Sequence, residues 1–115
     1  MNAKSSDRER LEHIIEAVDR IFRFREDLSY EEFLANEMAQ FAIIKNFEII
    51  GEAAHHISKE LRESNDTQIE WRKVIAFRHI LVHDYYKVNT EIVWNAIENR
   101  LIDMKIEVER ILDEM

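Results

Sequence analysis

SYEEFLANEMAQFAIIKNFEIIGEAAHHISKEL, residues 29–61, decides the fold. Ser29 followed three residues later by Glu32 has the spacing of a capping box, in which a hydroxyl and a carboxylate satisfy first-turn amides reciprocally. From there Leu34, Met38, Phe41, Ile44, Phe47, Ile50, Ala54, Ile57 and Leu61 step by three or four. That period predicts one long helix of about eight turns with an apolar stripe along one side. Gly51 interrupts it at a cost of about 1 kcal/mol relative to alanine. The plain reason for it is close approach of a neighbouring backbone, since one glycine cannot make a phosphate cradle.

The rest of the chain repeats this helical grammar. Across all 115 residues Gly51 is the only glycine and there is no proline, whereas sandwiches, barrels and glycine-rich nucleotide loops draw on both. Ser6 and Glu9 have capping-box spacing, and Leu11, Ile14, Ile15, Val18, Ile21 and Phe22 follow at helical intervals, predicting a first helix from about Ser6 to Glu26. Ser64 to Thr67 reads as a loop. Trp71, Val74, Ile75, Ile80, Leu81 and Val82 outline a third helix that the polar, aromatic run after His83 does not continue. Asn89 or Thr90 can cap a fourth, whose Trp94, Ile97, Leu101, Met104, Val108, Ile111 and Met115 form a heptad-like seam facing the core in preference to an isolated coiled coil. The expectation is one domain over residues 1–115, an all-α, up-and-down bundle of four or five helices. A chain this short gains from sharing buried surface with a second copy.

No cysteine is present, so disulfides, thiol nucleophiles and Cys-ligated metals are excluded. No run of about 18 apolar residues is there to span a bilayer, and Met1 to Glu12 does not resemble a signal peptide; a cytoplasmic address is expected, with no membrane partner. A net charge of -8 argues against a general positive field for nucleic acid, so any grip on a polyanion must be local. Residues 69–88 carry a net charge of +2, whereas residues 90–115 carry -4. Arg78 breaks the pattern of its helix, because Trp71, Val74, Ile75, Leu81, Val82 and Tyr85 all fall within about 60° of it on an ideal wheel. A guanidinium within an apolar stripe must meet an acid, such as Glu48 or Glu52, line a wet cleft, or await an anion.

His83 lies five residues on, so on an unbroken helix it diverges from Arg78 by about 140°. The two converge only if the helix ends near Val82 or if two chains meet along this edge. Together, an imidazole that moves a proton and an arginine that steadies phosphate charge suffice for a metal-independent attack of an RNA 2′-hydroxyl on its own phosphodiester. His79 and His83 have the spacing of two ligands on one face, with Asp84 as a third, but Ile80 stands where an H-E-x-x-H motif needs its glutamate, and no metal or other cofactor is expected. His55 and His56 lie on different faces of the long helix, at solvent or the core edge, and His13 reads as ordinary surface.

Arg78-His79-Ile80-Leu81-Val82-His83-Asp84-Tyr85 resembles the R-x4-H-x-Y signature of the HEPN superfamily, specifically HepT-like toxins paired with minimal nucleotidyltransferase (MNT) antitoxins. Residues 28–34, 46–54, 69–72 and 91–94 resemble the same family's pattern in the same order, covering nearly the whole chain. The resemblance implies a homodimeric HEPN bundle with Arg78 and His83 of both protomers lining one cleft, and a metal-independent endoribonuclease acting on tRNA or mRNA as the toxin of a type II/VII-like toxin-antitoxin pair. It gives Arg78 and His83 catalytic roles and makes His79, Asp84 and Tyr85 supporting motif residues. It also makes Tyr85 the site that the antitoxin adenylylates, with Tyr86 its nearest confounder. His79 replaces a frequent Asn and Glu70 a frequent proline. The competing reading is a non-catalytic module that binds nucleotide or a nucleotidyltransferase.

Overall fold

Helical periodicity is realised as seven helices in the computed structural model, which describes residues 3–64, 67–83 and 88–115, with side chains from Ser6 onward. α1 (Ala3–Arg25) begins three residues before the expected cap, so Ser6 and Glu9 lie inside it and form no capping box. Its stripe is as expected: Leu11, Ile14, Val18 and Ile21 are wholly buried, joined by Ala17. Arg23 and Arg25 occupy the last turn, where cations oppose the helix dipole. The chain then turns through Asp27 in a left-handed conformation (φ 65°), which a short polar side chain tolerates.

The long helix predicted from Ser29 to Leu61 is instead three: α2 (Tyr30–Ala35), α3 (Glu37–His55) and α4 (Lys59–Arg62). Its start is as read, with the Glu32 amide donating to Ser29 Oγ and the Ser29 amide to Glu32 Oε1. Asn36 makes the first break. Its carboxamide oxygen accepts from the Ala39 amide at 2.9 Å, an alternative to helix continuation that short polar side chains offer. Gln40 Nε2 then donates to the carbonyls of Phe33, which also accepts from the Asn36 amide, and Leu34. Ser58 makes the second break, its hydroxyl accepting from the Leu61 amide while both its own N–H and O–H donate to the buried carboxylate of Asp7 on α1. The break at Asn36 shifts the stripe: Leu34, Met38 and Phe41, expected in the core, are 46%, 83% and 65% exposed, and Phe33, Ala39 and Ile43 face inward instead.

α5 (Trp71–His83) is one continuous helix. The predicted fourth helix divides at Arg100 into α6 (Thr90–Asn99) and α7 (Leu101–Asp113), with Asn89 capping α6 as anticipated. Ile97, Leu101, Val108 and Ile111 of its seam are buried in the common core. α3 is central, packed against both α1 and α5, while α7 lies on α1 and α6 on α7. Polar clasps fix the α1 contacts: Lys105 Nζ meets Asp19 Oδ1 at 2.7 Å, and Arg20 Nε donates to the buried Asn46 at 2.7 Å. Among the described residues no helix is long and apolar enough to cross a membrane.

Candidate active site

The contact between α3 and α5 is built around the one glycine. A Cβ placed on Gly51 would stand 2.1 Å from Arg78 Cβ and 2.9 Å from its Cγ. Gly51 therefore lets α5 come close enough for the stem of Arg78 to lie across α3, which is the close approach that a mid-helix glycine implied. The guanidinium emerges beside Glu52, one residue along α3, and Arg78 Nη2 pairs with Glu52 Oε2 at 2.8 Å. Of the two acids considered from the sequence, Glu52 is the partner.

Glu52 also accepts from His56 Nε2 at 2.9 Å. That hydrogen bond first, and the nearby Arg78 charge as well, hold its carboxyl below the usual carboxylate range. The Arg78 and Glu52 side chains are 32% and 45% exposed, so the pair is reachable from solvent. It borders an open cavity of about 410 Å³ that Arg10, His13, Lys45 and Glu48 also line. His13, read from the sequence as plain surface, belongs to this cavity, as do Arg10 and Lys45, which sequence reasoning missed. Nothing in their spacing marks them: Arg10 and His13 come from α1 and Lys45 from α3, and only the pairing of those helices brings them to Arg78.

His83 stands elsewhere. Because α5 continues through Val82, the ideal 140° between Arg78 and His83 applies, and the two do not meet within one chain. His83 is exposed and packs on His79, ring centroids 4.2 Å apart, as their four-residue spacing anticipated. Asp84, Tyr85 and Tyr86 lie outside the described residues, as do Asn65 and Asp66 of the predicted loop. Among the described residues no three of His, Cys, Asp or Glu are grouped to hold a metal ion. On the His79 side α5 borders a second open cavity, lined by His55, Arg62 and Arg72 as well.

Against this geometry the chain can be set beside known proteins. The family model described as "Ribonuclease HepT-like" matches residues 14–111. A Thermococcus cleftensis protein named "Probable ribonuclease HepT" is 32% identical over 94% of this chain and 97% of its own. A Methanocaldococcus jannaschii protein provisionally named an RNase is 32% identical over 84% of this chain and 87% of its own. One from Caldanaerobacter subterraneus, named in the same provisional way, is 30% identical over 90% and 92%. No solved structure matches the chain.

Proposed function

Because the chain belongs to the HepT-like ribonuclease family of the HEPN superfamily, we propose that it is a metal-independent endoribonuclease working as a homodimer. The observation that carries this reading is Arg78 itself: a guanidinium steadied by Glu52 at the edge of an open cavity, on the same helix as an exposed His83. Since one chain holds these two groups apart, a second copy meeting the first along α5 supplies the convergence.

In the shared cleft an imidazole takes the proton of a ribose 2′-hydroxyl, whose oxygen attacks the adjacent phosphorus. The bond to the 5′-oxygen breaks, and the second imidazole returns a proton to that leaving group. The products are a 2′,3′-cyclic phosphate and a 5′-hydroxyl. Arg78 stabilises the charge gathering on the phosphoryl oxygens, exchanging its carboxylate partner for the phosphate. His79, Asp84 and Tyr85 complete the motif. In this reading the protein is the toxin of a toxin-antitoxin pair, acting on tRNA or mRNA, and an MNT-type nucleotidyltransferase silences it by adenylylating Tyr85. The added AMP brings bulk and negative charge to the cleft mouth, which opposes an incoming strand.

The test is incubation with tRNA and mRNA in EDTA, alongside Arg78→Ala and His83→Ala. Wild type yields 2′,3′-cyclic phosphate ends and the variants do not; equal cleavage by all three ends the assignment. Light scattering at micromolar concentration should give a dimer, and a monomer contradicts a composite site. With the nucleotidyltransferase and ATP, Tyr85→Phe should escape AMP addition; if it is still modified and neutralised, Tyr85 is not the target. The separation of Arg78 from His83 within one chain favours the second reading, a non-catalytic module that binds nucleotide or a nucleotidyltransferase. Wild type that leaves RNA intact would select it.

A further inference from the structure

α5 borders two cavities that differ in their acids. On the Arg78 side the cavity wall carries two acids, Glu48 and Glu52, among the bases Arg10, Lys45 and Arg78. On the other side the cavity of about 510 Å³ is lined, among the described residues, by His55, Arg62, Arg72, His79 and the apolar Ile75, Ala76 and Ile80, with no acid among them. In a chain with 24 acidic and 16 basic residues, this cavity gathers two arginines and two histidines in one place. Four arginines pair with carboxylates, Arg8 with Glu12, Arg25 with Glu98, Arg78 with Glu52 and Arg110 with Glu107, and what sets Arg62 and Arg72 apart from the other unpaired arginines is that both line one cavity. Among the described residues Arg62 and Arg72 pair with none, and Arg62 Nε is buried without a hydrogen-bond partner. Two guanidiniums that line one cavity without a carboxylate raise its positive potential, which an anion bound there relieves.

The cavity is also joined to the proposed chemistry. His79 is in its wall and stacks directly on His83, so whatever occupies the cavity lies one side chain from the imidazole that handles protons. Ile80, half exposed, adds an apolar surface beside the cations, and planar imidazole and guanidinium faces suit a stacked base. The opening is broad, matched to a passing strand more than to an enclosed small molecule.

We propose that Arg62 and Arg72 form a phosphate-binding subsite that holds the RNA backbone next to the bond presented to His83, so that the strand crosses α5 on its histidine face. This rests on the ribonuclease reading of His83, and the two are separable because binding and cleavage are read independently.

The probe is a short fluorescently labelled 2′-O-methyl oligoribonucleotide, which cannot be cut through its 2′-position, titrated with full-length protein in EDTA at several salt concentrations. Replacing both arginines, Arg62→Gln with Arg72→Gln, should weaken binding about tenfold at roughly 50 mM salt and make the log–log salt slope shallower by about 1.4, or about 0.7 for each phosphate left unneutralised. Should the double variant fail to fold, Arg72→Gln alone changes an exposed residue and should remove about 0.7 of the slope. Lysine at both positions should restore the slope, and Arg23→Gln, an equal charge loss on α1, should leave binding unchanged.

Affinity and slope unchanged in the glutamine variants would overturn the subsite, as would wild type that does not bind the strand. Displacement of the strand by polyglutamate as readily as by polyuridylate would also overturn it. So would ATP or inorganic phosphate occupying these arginines while the strand stays bound. If the variants lose the strand but His83→Ala still cleaves RNA, the subsite stands and the catalytic assignment of His83 falls.

Discussion

Gly51→Ala places two physical effects in direct opposition, and the structure says which prevails. Helix propensity alone favours alanine by about 1 kcal/mol at an interior position. Sterics oppose it, since the new Cβ would stand 2.1 Å from Arg78 Cβ, whereas non-bonded carbons rest at about 3.5–4.0 Å. Both atoms are rooted on helix backbones, so no rotamer change relieves the contact. α3 and α5 must separate by roughly 1.5 Å locally, which breaks packing along an interface that includes Phe47 and Phe77, now in edge contact at 5.3 Å. Overpacking costs about 1–3 kcal/mol in buried sites, occasionally more, and the absence of a rotameric escape puts this case at the upper end. After subtracting the propensity gain, a net loss of about 2 kcal/mol is expected, or roughly 8 °C in Tm for a domain of this size.

The assay is thermal unfolding by circular dichroism at fixed protomer concentration, because dimerisation would couple Tm to concentration. A double-mutant cycle sharpens it. In an Arg78→Ala background the offending Cβ is still present and Gly51→Ala should still destabilise. In an Arg78→Gly background it is gone and the same change should become neutral or stabilising, by up to about 1 kcal/mol. Gly51→Ala with unchanged or raised Tm in wild type, or equal effects in both backgrounds, would refute the contact. In the proposed ribonuclease the same displacement moves the Arg78 guanidinium by an ångström or more, and RNA cleavage should fall by about a hundredfold.

Asp7→Ala leaves the Ser58 N–H and O–H without their shared carboxylate in a part-buried setting, and a loss of about 2–3 kcal/mol in urea unfolding is expected; a loss under about 0.5 would remove Asp7 as the clasp between α1 and α4. Ser29→Ala should cost about 1 kcal/mol and speed hydrogen exchange at the Glu32 amide, and unchanged exchange there would count against the cap. Glu52, lowered by its His56 hydrogen bond and by Arg78, contributes stability that is present above its unfolded value and lost as pH falls through the folded one. Wild type should lose any Tm advantage over Glu52→Gln between about pH 5 and pH 3, and a difference constant across that window would show that the carboxylate stabilises nothing.

What the sequence made legible was what depends on local chemistry. Ser29 with Glu32, and Asn89 before Glu91, announce helix starts through their own side chains, and both caps form. The apolar stripes of α1 and α7 survive because nothing interrupts their period. Asn36 was hidden, since its backbone N–H closes α2 on the Phe33 carbonyl while its carboxamide starts α3, within a sequence whose apolar spacing barely changes across it. The misplacement of Met38 and Phe41 follows from that one break. Asp7 shows the opposite limit: a carboxylate in a plausible capping segment binds a serine 51 positions away, and no local pattern encodes its distance. The Arg78–Glu52 pair was accessible by elimination, because an arginine in an apolar stripe needs an acid and α3 offers only a few at the right height.

The separation of Arg78 from His83 follows from helix geometry more than from any side-chain detail. Positions five apart on a continuous α-helix lie on different faces, and α5 is continuous to His83. A motif spaced this way therefore addresses two surfaces at once: one where Gly51 and Glu52 fix a guanidinium against α3, and one where His83 stacks on His79 beside two arginines with no carboxylate partner among the described residues. For a single phosphodiester to use both, the strand must reach around the helix end or a second molecule must bring its own copy across. In the homodimer proposed above, joined along α5, the Arg78 face of one protomer would meet the histidine face of its partner at one groove, so that the spacing that keeps the residues apart in one chain would set them opposite each other in two. The proposed Arg62–Arg72 subsite would then lie on the strand's path away from that groove, where a chain of net charge -8 most needs local positive charge to retain a polyanion.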